Sequence, residues 1–322
     1  MKRMTPPALL AVSLLAVFSG AFVTSPVVCG SERHGFHAFV LPVPEAAASK
    51  SMLAMVEKAA QVITDKVGVR LVIETVTYAP GDNPLNIVVR YFAEGKADFG
   101  FVPSQEYVEY VDAGGGLLEP FMTFTILKKK YTNVCMYVRK RDAPSSLKEL
   151  RGFRWGGSTL LPTLRILYEH KIKEQMDGFF SKVEFLPESD FQEFITALVE
   201  NRVDVVTAHE YAMRNQIPLH KRGKEITPLL CAEHDHNWIF VKRATVPEDL
   251  VARVKKIFYK AHTDADFEQF RFVFYAIEGQ FVDFVPDGLE HTRYIVNIQK
   301  KMGWHGLERE FLKGRGKTTG KE

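Results

Sequence analysis

The sequence predicts an α/β protein of two αβ lobes, each with a mainly parallel central sheet, joined by two hinge strands. Three observations carry this. Strand-like and helix-like runs alternate with short joints over residues 37–116, and again over 153–209. Two strand-like runs without helical period, 119–139 and 227–243, flank the second set, where the chain would cross between lobes. The 322 residues, 46% hydrophobic and 25% charged, suit a soluble protein of two modest domains.

In chain order, Lys2 and Arg3 precede an uncharged run from Ala8 to Val28, the basic and apolar regions of a secretory signal. The apolar part is too short, and too broken by Gly and Pro, for a membrane span. Export is expected, with residues 1–30 as a signal peptide cut between Ala21 and Gly30 and a periplasmic product. Cys29 raises a lipid anchor as the alternative, against which Val28 stands as larger than that processing site usually tolerates. Loss of Lys2 and Arg3 from 42 basic residues leaves the mature chain near +1 against 39 acidic ones. Such a balance gives no field for nucleic acid or a membrane surface. Lys128–Lys130 and a flexible basic tail over 305–322 are the local exceptions; GRGKTTGK within the tail lacks the strand and spacing of a phosphate loop.

The first lobe is expected over 31–125. A strand over His37–Val43 leads to a helix from about Ala46 to Val67, whose apolar Leu53, Val56, Ala60, Ile63 and Val67 step by three and four before Gly68 stops it. Val69–Thr77 is the next strand. After a turn from Tyr78 to Asp82, Asn83 caps and Pro84 opens a helix carrying Leu85, Val88, Val89 and Phe92. Gly95 ends it, Ala97–Val102 is a third strand, and a further helix starts at Pro103-Ser104-Gln105. Ligands of open sheets sit beyond the carboxyl ends of the strands. Glu45, Tyr78, Ser104 and Gln105 are site candidates by that rule.

The second lobe is expected over 126–230, with hinge strands at its ends. Its centre is FRWGGSTLLPTLRIL, Phe153 to Leu167: a strand that breaks at Gly156-Gly157 and turns at Ser158-Thr159 into an amphipathic helix running to Glu174. Glycines bring backbone close to a bound group, and hydroxyls beside a helix start meet its unpaired N–H groups. The stretch has the makeup of an anion seat, Gly157, Ser158 and Thr159; the structural alternative is a plain helix cap. A strand at Val183–Leu186 follows. Ser189, with Gln192 three places on, starts a capped helix bearing Phe194, Ile195, Leu198 and Val199. The strand VDVVT, Val203–Thr207, delivers His209 at its carboxyl end, so Ser189 and His209 join the candidates. Residues 231–304 return to the first lobe, and helices from Pro247, Asp264 and Leu289 are expected to cover it.

Cys135 and Cys231 lie in apolar strand-like runs, and two buried thiols are expected; they would pair if the runs are neighbours. Phe121, Phe124, Phe179 and Phe180 read as core. Cys231, His234 and His236 have residue types of a zinc site but match no paired-ligand spacing, so neither a metal nor any cofactor is assigned. Nucleophile elbow, HExxH, Walker loop and paired carboxylates are all lacking, which disfavours an enzyme.

Together, LPVPEA, DKVGVRLVIE, TYAP, AEGKADFGFVPSQEYVE, YTNVCMYVRKRDAPSSLKELRG, GGSTLLPT, FFSKVEFLPESDFQEFITALVENRVDVVTA and IFVKRATVPEDL resemble the type 2 periplasmic solute-binding proteins. The resemblance is to the branch that binds phosphonate, phosphate or phosphite for an ABC transporter, and it covers most of Phe36 to about Leu250. It implies two lobes closing like a hinged clamp on a small anionic ligand, a monomer, and an ABC permease of the inner membrane as partner. Ser158 and Thr159 carry over as matched ligand-holding positions, with Tyr78 beside the family's Ala-Pro turn. In those binders the corner reads Ser-Thr-Ser-Gly where this chain has Ser158-Thr159-Leu160-Leu161, and the strand end commonly bears Asp or Asn where this chain has His209. An input protein for a membrane histidine kinase, and a metal-binding protein, are the alternatives.

Overall fold

The computed structural model describes residues 36–302 apart from 46–47, 49, 80–81, 130, 173–178, 187–189, 237 and 269–277. The chain divides into two units: the described residues before Tyr131 with His236–Arg293, and Tyr131–Asp235 with the described residues from Tyr294 on.

Unit 1 opens with β1 (Phe36–Pro44), α1 (Lys50–Val67), β2 (Arg70–Tyr78), α2 (Pro84–Ala93), β3 (Phe99–Val102) and α3 (Ser104–Asp112). Local chemistry sets the joints. Gly68 and Gly95 take φ of 75° and 66° where α1 and α2 end, a conformation glycine adopts without strain. The Asn83 side chain accepts from the Leu85 N–H at 2.9 Å and caps α2. β1 runs parallel to β2 from Phe36 opposite Arg70 to Pro44 opposite Tyr78, and parallel to β3 through Phe39 and Phe99. The carboxyl ends of these three strands therefore share one edge. β4 (Glu119–Thr125), β10 (Ile239–Lys242) and β11 (Gln280–Asp283) complete the sheet in antiparallel pairings, in the order β11-β4-β10-β3-β1-β2.

Phe39, Phe99, Phe101, Phe121 and Phe240 form an aromatic layer on this sheet, closed by Ile63 and Val67 of α1 and by Leu250, Val254 and Ile257 of α7 (Glu248–Lys260). Leu53 and Val56 pack around Val43. Phe124 is half-buried and meets Phe281 edge to face. Buried Asp98 ties three strands: it accepts from the Ala38 N–H at 3.2 Å and the Arg243 guanidinium at 2.6 Å, and lies 3.0 Å from His37 Nδ1.

Unit 2 contains β5 (Tyr131–Arg139), β6 (Arg154–Gly157), α4 (Leu161–Glu169), β7 (Lys182–Phe185), α5 (Phe191–Val199), β8 (Val205–His209), α6 (Glu210–Gln216) and β9 (Ile226–His236). The sheet order is β7-β6-β8-β5-β9. β6 is parallel to β7 and β8, and β5 is antiparallel to β8 with Val134 opposite His209. Both sheets are thus mixed, parallel where helices cross over and antiparallel where the two long strand-like runs return. Trp155, Leu164, Leu167, Phe179, Phe180 and Val205 lie in the core of unit 2.

Several expectations change. Cys135 and Cys231 are joined in a disulfide rather than standing as two thiols, because β5 and β9 are neighbours in the sheet. Replacing both by serine removes a link that closes 96 residues of sequence separation. The expected loss is about 2–4 kcal/mol, read as a lowered urea midpoint; an unchanged midpoint would count against it. α4 stops at Glu169 rather than Glu174, with Lys171 turned to φ 60° just beyond. The cap of α5 is Asp190, whose side chain accepts from the Glu193 N–H at 3.2 Å; Ser189 lies outside the described residues. α8 (Gly288–Met302) does not cover unit 1 alone. Its Arg293 pairs with Asp112 in unit 1, whereas residues from Tyr294 on belong to unit 2. Among the described residues the chain thus passes between units three times rather than twice. Fifteen residues of helix, about 22 Å long, with apolar Leu289, Ile295, Val296 and Ile298 along it, allow this.

At the far end of the unit 2 sheet, buried Arg139 donates to the carbonyls of Leu198 and Val203 at 2.7 Å each, to Asp204 at 2.8 Å, and to Asp142. Arg154 donates to the same Asp204 from its main chain and its guanidinium. The Arg154 hydrogen bonds above all, with those of Arg139, hold the Asp204 carboxyl well below the usual carboxylate range. Below about pH 4 the unfolded chain takes up a proton here that the folded chain refuses. The stabilisation is therefore full above that pH and is lost as pH falls toward the lowered folded value. Urea midpoints are expected to decline in that acid window, and Asp204→Asn, less stable at neutral pH, is expected to decline less steeply; parallel slopes would contradict the assignment.

Candidate functional site

Gly156 and Gly157 do not break β6. They are its last two residues, both buried, and packing rather than a turn demands them. A Cβ on Gly157 would lie 2.5 Å from Trp155 Cζ2 and 3.1 Å from the Thr207 carbonyl oxygen; one on Gly156 would crowd Leu186 and Val203 at 3.1 and 3.2 Å. The chain bends at Ser158-Thr159, and α4 begins at Leu161 with Pro162 behind it.

The N-cap of α4 is Leu160, which supplies no side-chain hydrogen bond. The Thr159 hydroxyl makes one long contact, accepting from the Leu161 N–H at 3.4 Å. That is weak for a cap, since good N–H···O bonds lie nearer 2.9 Å. Ser158 and Thr159 are half-buried at the positive end of the helix dipole. Pro162 removes one N–H from the first turn, and Leu160 turns against the unit 2 core. The corner accordingly offers two hydroxyls and the early amides, fewer donors than Ser-Thr-Ser-Gly would bring.

β6 and β8 are parallel with Gly157 opposite Thr207, so the 158–159 bend and His209 emerge at the same edge of the sheet. The His209 ring stacks on Tyr211 at 5.3 Å between centroids and lies 6.3 Å from His234. Its Nδ1 is buried with no hydrogen-bond partner among the described residues. One strand over, Asn133 donates to the Glu210 carboxylate at 2.7 Å. Behind α4, buried Arg165 donates to Glu169 at 2.8 Å and to the Glu233 carbonyl, fixing the helix against β9. In unit 1, exposed Glu45, buried Tyr78, buried Ser104 and half-buried Gln105 follow or end the three parallel strands at their shared edge. The structure therefore groups Gly157, Ser158, Thr159 and His209 in unit 2, and Glu45, Tyr78, Ser104 and Gln105 in unit 1.

Sequence reading missed Asn133, Glu210 and the hydroxyls of Thr163 and Thr207 beneath the corner. Thr207 sits inside VDVVT, where a β-branched residue reads as strand former, and Thr163 inside an apolar helix face. Cys231 is engaged in the disulfide and is no thiolate ligand. Among the described residues no group of three or more His, Cys, Asp or Glu is placed to hold a metal ion. Hydroxyls, early helix amides and an imidazole at one edge suit the holding of an oxyanion.

A family model described as ABC transporter, phosphonate, periplasmic substrate-binding protein matches residues 43–278. Three solved structures share the fold, each at 12% identity. One is the binding protein component of an ABC phosphonate transporter from Pseudomonas aeruginosa, with TM-score 0.56 over 87% of this chain and 94% of that one. Another is a Xanthomonas citri protein bound to chloride ion, with TM-score 0.57 over 83% and 99%. The third is a Prochlorococcus marinus protein in complex with methylphosphonate, with TM-score 0.56 over 84% and 98%. No curated protein sequence matches the chain.

Proposed function

The chain belongs to the family of phosphonate ABC transporter periplasmic substrate-binding proteins, and on that premise we propose that its unit 2 corner, Ser158-Thr159 at the start of α4, captures a small phosphonate, phosphate or phosphite. The observation that carries this is a nine-residue helix whose N-cap, Leu160, supplies no side-chain hydrogen bond and whose first N–H meets Thr159 only at 3.4 Å, although two hydroxyls stand beside it. An anion there gains about 0.3–2 kcal/mol from the dipole, and charge-assisted bonds from the hydroxyls add to it. His209 at the neighbouring strand end is a further donor, strongest when protonated.

Family membership implies a membrane permease as the protein that receives the ligand. Residues 1–30 then serve as the export signal for a periplasmic address, and the protein works as a monomer that binds and releases its guest without turnover. Glu45, Tyr78, Ser104, Gln105 and Ser189 are proposed as secondary contacts.

A thermal-shift panel of methylphosphonate, phosphate, phosphite, sulfonates, amino acids and divalent metals tests the reading. Any ligand of the native state raises its stability, by about 2.7 kcal/mol at a hundredfold excess over Kd. A rise with at least one phosphorus oxyanion is expected. A rise confined to a metal or an amino acid would overturn the proposal.

A further inference from the structure

Directly beneath the corner, Trp155 Nε1 lies 3.1 Å from Thr163 Oγ1 and 3.1 Å from Thr207 Oγ1, and the two hydroxyls are 2.7 Å apart. All three side chains are buried, Trp155 and Thr163 completely. The indole N–H only donates, and each hydroxyl has one proton, so the indole donates to the hydroxyl pair while one hydroxyl donates to the other. The three residues come from three elements: Trp155 from β6, Thr207 from β8, and Thr163 from the first turn of α4.

We propose that Trp155, Thr163 and Thr207 are positioning residues that fix the start of α4 against β6 and β8, so that oxyanion affinity depends on hydroxyls that never touch the anion. The inference rests on the functional reading above. Two features separate it from ordinary core packing. Leu164, Ile166 and Leu167 already bury α4 in the unit 2 core, so cohesion of the helix does not itself call for hydroxyls at these two positions. A buried polar network bridging three elements, by contrast, favours the one placement in which its donors and acceptors meet. Gly157 then transmits that placement to the corner. Its Cα faces the indole so closely that a Cβ would lie 2.5 and 2.6 Å from Trp155 Cζ2 and Cη2, so the main chain leading to Ser158 rests on the ring that the threonines orient.

The test compares the wild type with Thr163→Val, Thr163→Ser and Thr207→Val by two measurements. In the ligand-free protein, amide hydrogen exchange over residues 158–164 is expected to quicken about tenfold in both valine variants while exchange in α5 stays unchanged, and Thr163→Ser is expected to restore the wild-type rate. In calorimetric titration with methylphosphonate, phosphate and phosphite, the valine variants are expected to bind about tenfold more weakly, again with recovery in Thr163→Ser. Unchanged exchange at the corner, or uniform quickening across unit 2, overturns the positioning role even if the wild type binds. Quickened exchange with unchanged affinity overturns the link to binding. A wild type that binds none of the three anions overturns the functional reading itself, and the proposal with it.

Discussion

The double variant Ser158→Ala/Thr159→Ala is expected to lose phosphorus-oxyanion binding by two to four orders of magnitude while keeping its ligand-free melting temperature. Two hydrogen bonds to a charged group are worth about 1.5–3 kcal/mol each, and at about 1.4 kcal/mol per decade their loss accounts for that range. The fold should not notice. Ser158 and Thr159 are half-buried, Ser158 lies outside both β6 and α4, and the single bond of Thr159 to the Leu161 N–H is long at 3.4 Å. If the hydroxyls served as a helix cap, the pattern would invert: the ligand-free protein would lose about 1 kcal/mol and affinity would hold. Calorimetric titration and thermal denaturation of the same preparations separate the two outcomes.

Arg139→Ala is expected to be the most destabilising single change in unit 2, at about 3–5 kcal/mol. The guanidinium is almost wholly buried and bridges Asp204, Asp142 and two main-chain carbonyls, those of Leu198 at the end of α5 and Val203 before β8. Alanine would take the guanidinium from the Val203 carbonyl, leave the Leu198 carbonyl with the Asn201 N–H at 3.1 Å in place of two donors, and leave Asp204 with Arg154 alone. Because Arg139 ends β5 at the edge opposite His209, oxyanion affinity measured where the variant remains folded should match the wild type. A loss below about 1 kcal/mol, the usual worth of a surface pair, would show that the network is not the anchor its geometry describes.

Much of this architecture was legible because the elements are locally consistent. Apolar residues spaced by three and four in α1 and α7 face the unit 1 core, and Gly68, Asn83, Pro84 and Gly95 stand at the helix ends where their backbone chemistry belongs. Strand-end logic placed His209 and the 158–159 bend without reference to contacts. What escaped was non-local or degenerate. The neighbouring of β5 and β9, and with it the disulfide, depends on sheet order that no short window contains. Ser189 and Asp190 each have a Gln or Glu three places on, so adjacent residues offered the same cap and only backbone geometry selected Asp190. Gly156 and Gly157 looked like a flexible break, yet their lack of side chains answers to Trp155, Leu186 and Val203. β11 is four residues behind Glu278-Gly279, too short to show a period, and its strand character comes from pairing with β4.

The central claim is that the main chain and hydroxyls at the start of α4 hold the anion. Amide ¹H–¹⁵N spectra recorded during titration with methylphosphonate test it most directly. Saturable downfield shifts are expected for the amides between Ser158 and Thr163, and they should vanish in Ser158→Ala/Thr159→Ala. Saturation with the largest shifts elsewhere, and the 158–163 amides unmoved, would contradict the account.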